Sequence, residues 1–433
     1  MIIHGWGNYS KLDSKVFFPE NLKQLKLDIS QTKSLIGRGL GRSYGDSANN
    51  KYVIQTSNLK KIINFDIKKG IIECETGITI CELNQLTIKE GWFITVTPGS
   101  SYVTLGGALA SDIHGKNHHL EGTFSKHVLS AKLILANGEI IEISNNENSD
   151  LFKATCGGMG LTGIIYSVKL KLKSISSSNI IQTTIKTKSL EETLEQFEIN
   201  KDSEYSVAWI DCTCSLKKWG RGLLFLGKHQ SNNTLTYQKR KIINFPINIF
   251  SNFLNSFSIK IFNFLYYHKN FKKKKTNILN INDYFYPLDS INKWNLLYGR
   301  NGFVQYQFVI PLEHSVDVIN KIFHKIYESK HVPYLTTLKK FGHKNENYLS
   351  FPMQGITVAF DFKASSNIKN LIETLDKIVL NYKGRVYLTK DTLMEKEVFR
   401  KFYINWEKFE NVRDKYGAIG KFFSNQSIRL GLK

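Results

Sequence analysis

From the N-terminus to about Lys173, apolar and polar positions change rhythm every few residues. Leu22–Leu27 has helical spacing and predicts a short amphipathic helix. Alternating runs predict strands at Lys33–Ile36, Tyr52–Gln55, Ile62–Asp66 and Ile71–Glu75. A second helix is predicted over Thr79–Lys89, where Thr79 and Glu82 have the spacing of a capping box. Val128–Leu135 and Ile140–Ile143 flank Asn137 and Gly138 and read as a hairpin. Ile165–Leu172 alternates once more. From about Ser174 the runs lengthen and aromatic residues replace glycine. Tyr205–Asp211, Phe303–Ile310 and Ile356–Phe362 read as sheet strands, and Ser315–Lys330 and Asn367–Asn381 as helices. The tail from Leu393 to Lys433 is basic and helical. The pattern predicts an α+β chain with a break near residue 173, and a second domain built on an antiparallel sheet covered by helices.

Three glycine-rich segments interrupt the first part. They are Gly37–Asp46, Thr97–His119 and Cys156–Lys173. Glycine lets backbone approach a ligand closely or adopt positive φ. In the first segment the third glycine of a dinucleotide-binding GxGxxG falls on Arg42, and no apolar-periodic helix follows. What remains is a turn whose free N–H groups can hold a pyrophosphate. His114 and His118 have the i, i+4 spacing of a helical zinc pair. Gly115 argues against a helix there and no third ligand has a recognisable spacing, so no metal is expected.

Charge narrows the partners. The net charge is +22, and 13 Lys and Arg fall between Asp211 and Asp283, where there is no acidic residue. That concentration calls for an anionic partner: a membrane surface, a phosphorylated ligand or nucleic acid. Within it, Ile247–Tyr267 places Phe250, Phe253, Leu254, Phe257, Ile261, Phe264 and Leu265 on one helical stripe. Asn252, Asn255, Lys260 and Asn263 interrupt the stripe, so it should lie on a bilayer rather than cross it. Lys239–Lys241 and Lys272–Lys275 flank it as anionic-lipid contacts, each worth about 1 kcal/mol near the surface. No nucleic-acid module is present, so nucleic acid is not an expected partner. Five cysteines without a CxxC read as reduced thiols. No signal peptide and no long apolar span are apparent, which predicts a cytoplasmic protein or one peripheral on the inner membrane of a bacterium.

GRGLGRSYGD, TPGSSYVTLGGALASDIHGKNHH and GGMGLTGII, in this order and spacing, resemble the PCMH-type FAD-binding domain of the vanillyl-alcohol-oxidase superfamily. YSVAWID, YFYPLD, WNLLYGRNGFVQYQFVIP, LKKFG, LSFP and GRVYLTKD extend the likeness to the branch that oxidises the 2′-hydroxyl of decaprenylphosphoryl-β-D-ribose. The resemblance covers the chain except about residues 227–281. It implies a two-subdomain FAD-binding domain over 1–173, a substrate domain over 174–384 with a membrane-facing insertion, and a segment 385–433 returning to the FAD domain. It implies FAD held by Gly37, Arg38, Gly39, Leu40, Gly41, Arg42, Ser43 and Tyr44 at the pyrophosphate. Thr97, Pro98, Gly99, Thr104, Gly106, Gly107, Ala110, Ile113, His114, Gly115 and Asn117 would line adenosine and flavin, with Gly158, Gly160, Gly163 and Ile164. Many covalent members carry His where this chain has Arg42, which implies non-covalent FAD. The best-studied members carry a cysteine where this chain has Ala359.

Oxidising a secondary alcohol with flavin requires a C–H held about 3–3.5 Å from the flavin, a proton acceptor and a partner for growing negative charge. Lys390 is the candidate for the charge, and for contact with both cofactor and substrate. His114 and Tyr44 are candidates to orient the sugar hydroxyls, and the residues do not single out the base. Gln305 and Gln307 share one face of an apolar strand and need polar partners if buried. Tyr387 is expected on the Lys390 strand face, with Trp209, Tyr286 and Lys339 also contacting substrate. The resemblance implies a lipid-linked sugar phosphate as substrate, a short-chain reductase consuming the keto product, and quinone as electron acceptor. Other readings are a soluble aldonolactone or alditol oxidase using oxygen, and a flavin-binding scaffold for the reductase.

Overall fold

The computed structural model describes residues 1–213, 219–238, 240–244 and 255–433. Cys214, Lys239 and the part of the apolar stripe from Ile247 to Leu254 lie outside the described residues. The chain is a mixed helix and sheet protein. Its N-terminal half holds a parallel sheet ordered Lys15–Phe17, Tyr52–Gln55, Ile36–Arg38, and a five-stranded antiparallel sheet. The latter runs Ile140–Ile143, Val128–Ile134, Ile164–Lys171, Ile71–Glu75, Ile62–Asp66. The helix Ile80–Thr87 begins with both bonds of the Thr79–Glu82 capping box. The hairpin turns at Gly138, whose φ of 82° suits glycine.

The central glycine segment is more regular than its sequence suggests. Thr104 caps a short helix, Leu105–Ala110, accepting a hydrogen bond from the Gly107 N–H at 3.3 Å. The same hydroxyl would lie 2.1 Å from a Cβ on Gly39. Glycine at 39 therefore lets the first segment close onto the start of that helix.

The second region is an eight-stranded antiparallel sheet. Its order is Lys274–Asn280, Asn179–Thr187, Gly222–His229, Tyr205–Ile210, Leu335–Phe341, Gly355–Lys363, Phe303–Ile310, Arg385–Val386. Every residue of Phe303–Ile310 is buried, because the sheet is covered on both faces. On one side the helices Ser315–Glu328 and Ile368–Asn381 bury Val318, Ile322, Phe323, Leu371, Leu375 and Val379. There the Tyr306 hydroxyl donates to Asp376 at 2.8 Å. Gln305 and Gln307 point the other way, toward the glycine segments.

The last 49 residues bind the two regions together. Arg385–Val386 adds an edge to the large sheet, and Phe422 pairs with Leu35 beside the parallel sheet. The fully buried Arg413 pairs with Glu410 and donates to the carbonyls of Leu161 and Phe422. Arg429 binds Asp46 at 2.8 Å and Asp391 at 2.9 Å. The tail is helical at Lys396–Phe402, Trp406–Lys415 and Asn425–Arg429.

Candidate active site

A chamber of about 720 Å³ lies between the large sheet and the three glycine segments. Gly37 to Tyr44 form one wall without a break. Thr97, Pro98, Gly99, Thr104, Gly106, Gly107, Ala110, Ile113 and His114 continue it, with Gly160, Gly163 and Ile164. Trp209, Gln305, Gln307, Lys339, Tyr387 and Lys390 face them.

Four expected residues stand behind this wall. The Tyr286 hydroxyl shares a 2.7 Å hydrogen bond with Thr97 and accepts one from Asn84, so it braces Thr97 from outside. Asn117 donates to the Thr95 carbonyl, and a Cβ on Gly115 would lie 2.5 Å from the Asn117 side-chain oxygen. A Cβ on Gly158 would meet the Ala154 carbonyl at 2.1 Å. Chain packing is what demands glycine at 115 and 158. The strand expected to carry Tyr387 and Lys390 ends at Val386. Tyr387 and Lys390 instead open and close a turn, with the Lys390 N–H donating to the Tyr387 carbonyl at 3.0 Å. Both side chains still reach the chamber.

The histidines part company. His118 starts a one-turn helix and its Nδ1 accepts from the Gly342 N–H at 3.1 Å. His119 bonds the Ser203 carbonyl. His114 lies between Gln307 at 3.0 Å and Lys339 at 3.5 Å. Among the described residues no cluster of metal-ligating side chains forms.

The chamber is electropositive. Arg38 donates to the carbonyls of His4 and Ala48 and to the Asn49 side chain, and burial lowers it to about 10. The Arg42 guanidinium stacks 3.8 Å from the Trp6 ring centroid and donates to the Tyr102 carbonyl. Lys390 sits 3.7 Å from the centroid of the Tyr44 ring. Burial pulls its amine down while the nearby Asp361 charge opposes that. Asp361 is itself held by Gln305 and by the Tyr298 hydroxyl at 3.0 Å. Burial raises Tyr44 well above the usual phenol range and holds His114 well below the usual imidazole range, keeping both neutral. It also lowers Lys339 to about 8.

Sequence reasoning missed three groups. Lys116 lines the chamber, donates to the carbonyls of Tyr284 and Phe285, and is lowered by burial to about 7. Its only signal was its place beside Gly115. Asp361 was visible as one acid in an apolar strand. Asp112 has a φ of 39° and is fully buried. Its carboxylate accepts from Asn345, Asn347 and Ser350 at 2.7, 2.9 and 2.6 Å, tying the loop after strand Leu335–Phe341 to the segment bearing His114.

A glycine-lined wall with Arg38 and Arg42 facing a polar floor fits a dinucleotide carrying a diphosphate and a wide flat ring. Residues 19–144 match the family model described as FAD binding domain. The chain is 32% identical to decaprenylphosphoryl-β-D-ribose oxidase of Mycolicibacterium smegmatis, over 99% of this chain and 97% of that protein. It belongs to the decaprenylphosphoryl-β-D-ribose oxidase family. It is an FAD-dependent oxidoreductase. A Streptomyces coelicolor protein described as uncharacterized in the mprA 5′ region is 24% identical over 82% of this chain and all of its own. L-gulonolactone oxidase of Bos taurus is 29% identical over 42% of this chain and 41% of its own. The likeness to the lactone oxidase thus covers less than half of each chain, while the family likeness runs on through the large sheet.

Proposed function

We propose that this enzyme oxidises the 2′-hydroxyl of a polyprenylphosphoryl-β-D-ribofuranose to the 2′-keto sugar, the first half of an epimerisation to the arabinose form. The full-length likeness to the M. smegmatis oxidase carries the reading, because it includes the sheet that supplies Gln305, Gln307, Lys339 and Lys390. FAD, when bound, supplies the hydride acceptor. Gly37–Tyr44 with Arg38 hold its diphosphate, and the remaining glycine wall holds adenosine and flavin. Arg42 stands where covalent relatives have histidine, so the cofactor is non-covalent. Lys390, paired electrostatically with Asp361 and fixed over Tyr44, supports the negative charge that develops during reduction. Gln305, Gln307 and Tyr387 orient the sugar.

The route for the lipid has its own support. Phe225, Tyr266, Leu279, Leu335 and the partly exposed Phe262 line the outer chamber. Phe262 belongs to the helix Ser256–His268, whose Phe257, Ile261, Phe264 and Leu265 are exposed. The chamber therefore opens beside an apolar face, where a membrane would present a polyprenyl chain. We assign the keto product to a short-chain reductase and the electrons to a membrane quinone.

Anaerobic addition of a polyprenylphosphoryl ribose should bleach the flavin absorbance. Bleaching by aldonolactones instead would establish the lactone-oxidase reading, and bleaching by neither a scaffold role. Lys390→Ala should keep FAD and reduce it at least a hundredfold more slowly. Near-normal reduction would place the stabilising charge elsewhere.

A further inference from the structure

A proton count fixes the tautomer of the His114 ring. Thr357 donates its single hydroxyl proton to the Phe308 carbonyl at 2.8 Å. It must therefore accept from Gln307, 3.2 Å away, which fixes the NH₂ end of that amide toward Thr357. The same NH₂ group lies 3.0 Å from His114 Nε2. Nε2 is then an acceptor, and the ring proton of neutral His114 is on Nδ1. Nδ1 faces Lys339 Nζ at 3.5 Å. An ammonium there would set donor against donor. A neutral amine turns its lone pair to the ring or to a substrate hydroxyl.

The neighbouring charges agree with this. The titratable groups facing Lys339 are His114, Lys116 and His118 from the central glycine segment and Lys390 from the C-terminal turn. None of the four carries a negative charge, so none of them favours a proton on Lys339. Lys390 has Asp361 as counter-charge. Burial lowers both lysines of the chamber floor, Lys390 to about 7 and Lys339 to about 8, but Lys390 has the Asp361 charge beside it whereas Lys339 meets the His114 ring at Nδ1.

We propose that Lys339 is the general base that removes the hydroxyl proton of the alcohol. The O–H bond breaks, an N–H bond forms at Nζ, and the oxygen's electron pair becomes the second bond of the carbonyl. The carbon's hydrogen leaves with its electron pair as hydride, for which FAD would be the acceptor in the oxidation proposed above. Gln307 is a positioning residue: it fixes the His114 tautomer and through it the state of Lys339. The identity of the alcohol rests on the substrate reading above, but the state of the amine does not.

Two measurements test this. In protein labelled with ¹⁵N-lysine, wild type at pH 9 should show a neutral amine resonance, with FAD bound and no substrate. That resonance should be missing from Lys339→Met and from Lys339→Arg, either of which serves if the other misfolds. In stopped-flow reduction by polyprenylphosphoryl ribose, Lys339→Met should be 10²–10⁴-fold slower, the usual share of a general base. It should lose the fall in rate toward acid pH, while dithionite still reduces its flavin. In Gln307→Glu the carboxylate accepts the Nε2 proton and leaves Nδ1 bare. Lys339 then holds its proton, and the acid limb should move to higher pH. An ammonium at Lys339 up to pH 9, or reduction of Lys339→Met within threefold of wild type, would overturn the assignment. If the sugar fails to bleach wild type, the substrate reading falls, and the amine resonance still decides the state of Lys339.

Discussion

Ala359 sits in the chamber wall, paired across the sheet with Gln307 on one side and Thr337 on the other. A cysteine at this place would present a thiol to whatever enters. Here a methyl group leaves the wall chemically inert. Ala359→Cys adds a single sulfur next to open space, so its stability should change by less than about 1.5 kcal/mol. Peptide mass spectrometry after treatment with a chloroacetamide should show one adduct at residue 359 that wild type lacks. An unmodified thiol in the folded variant would mean that the side chain points out of the chamber. The buried cations act at the same scale. Lys116 is held by two carbonyls and Lys390 by an aromatic face and the nearby Asp361 charge. These arrangements leave positive charge available to an anionic ligand rather than cancelling it.

Among the elements, the one-turn helix His118–Glu121 shows how the site is hung between the two regions. His118 packs 4.4 Å from the Phe341 ring and accepts from the Gly342 N–H, at the end of strand Leu335–Phe341. Burial lowers this imidazole from 6.5 to about 3. A depressed folded-state value means the unfolded chain takes up the proton first. The stability is present above about pH 6.5 and is lost as pH falls from there toward 3. His118→Gln keeps an acceptor for Gly342 and removes the titration. Its acid-unfolding midpoint, followed by far-UV circular dichroism, should move to lower pH by a few tenths of a unit. An unchanged midpoint would assign acid lability to other groups.

For the whole molecule, the helix Ser256–His268 inverts the usual amphipathic arrangement. Asn263 is buried, donating to Asp211 and Thr213, while Phe257 and Leu265 are 73% and 60% exposed. Phe271, 92% exposed, and Lys272 to Lys275 follow directly. Among the described residues no helix is long and apolar enough to cross a membrane. An outward apolar face beside a cationic run suits the bilayer interface. Phe264→Asp with Leu265→Asp should weaken binding to vesicles of anionic phospholipid at least tenfold in co-sedimentation, and added salt should weaken wild-type binding. Equal binding by the variant would remove the docking role.

Much of this was legible in the chain. Strand and helix periods gave Tyr52–Gln55, Ile62–Asp66, Ile71–Glu75 and Phe303–Ile310 to the residue, because alternation and turn chemistry are local properties. The capping box at Thr79 and the Asn137–Gly138 hairpin are local in the same sense. The glycine segments announced a large anionic ligand, and the basic gap led to the anionic surface proposed above. Which glycines face that ligand was decided by packing: Gly39 closes on Thr104, whereas Gly115 and Gly158 serve their own loops. The different partners of Lys339 and Lys390 also belong to the tertiary structure. A lysine's charge depends on what burial brings beside it, and Asp361, His114 and Gln307 reach these two from strands and loops far apart in sequence. Sequence specified the elements and the kind of ligand. Folding chose which side chains meet it and where their protons sit, because only the folded chain strips water from them.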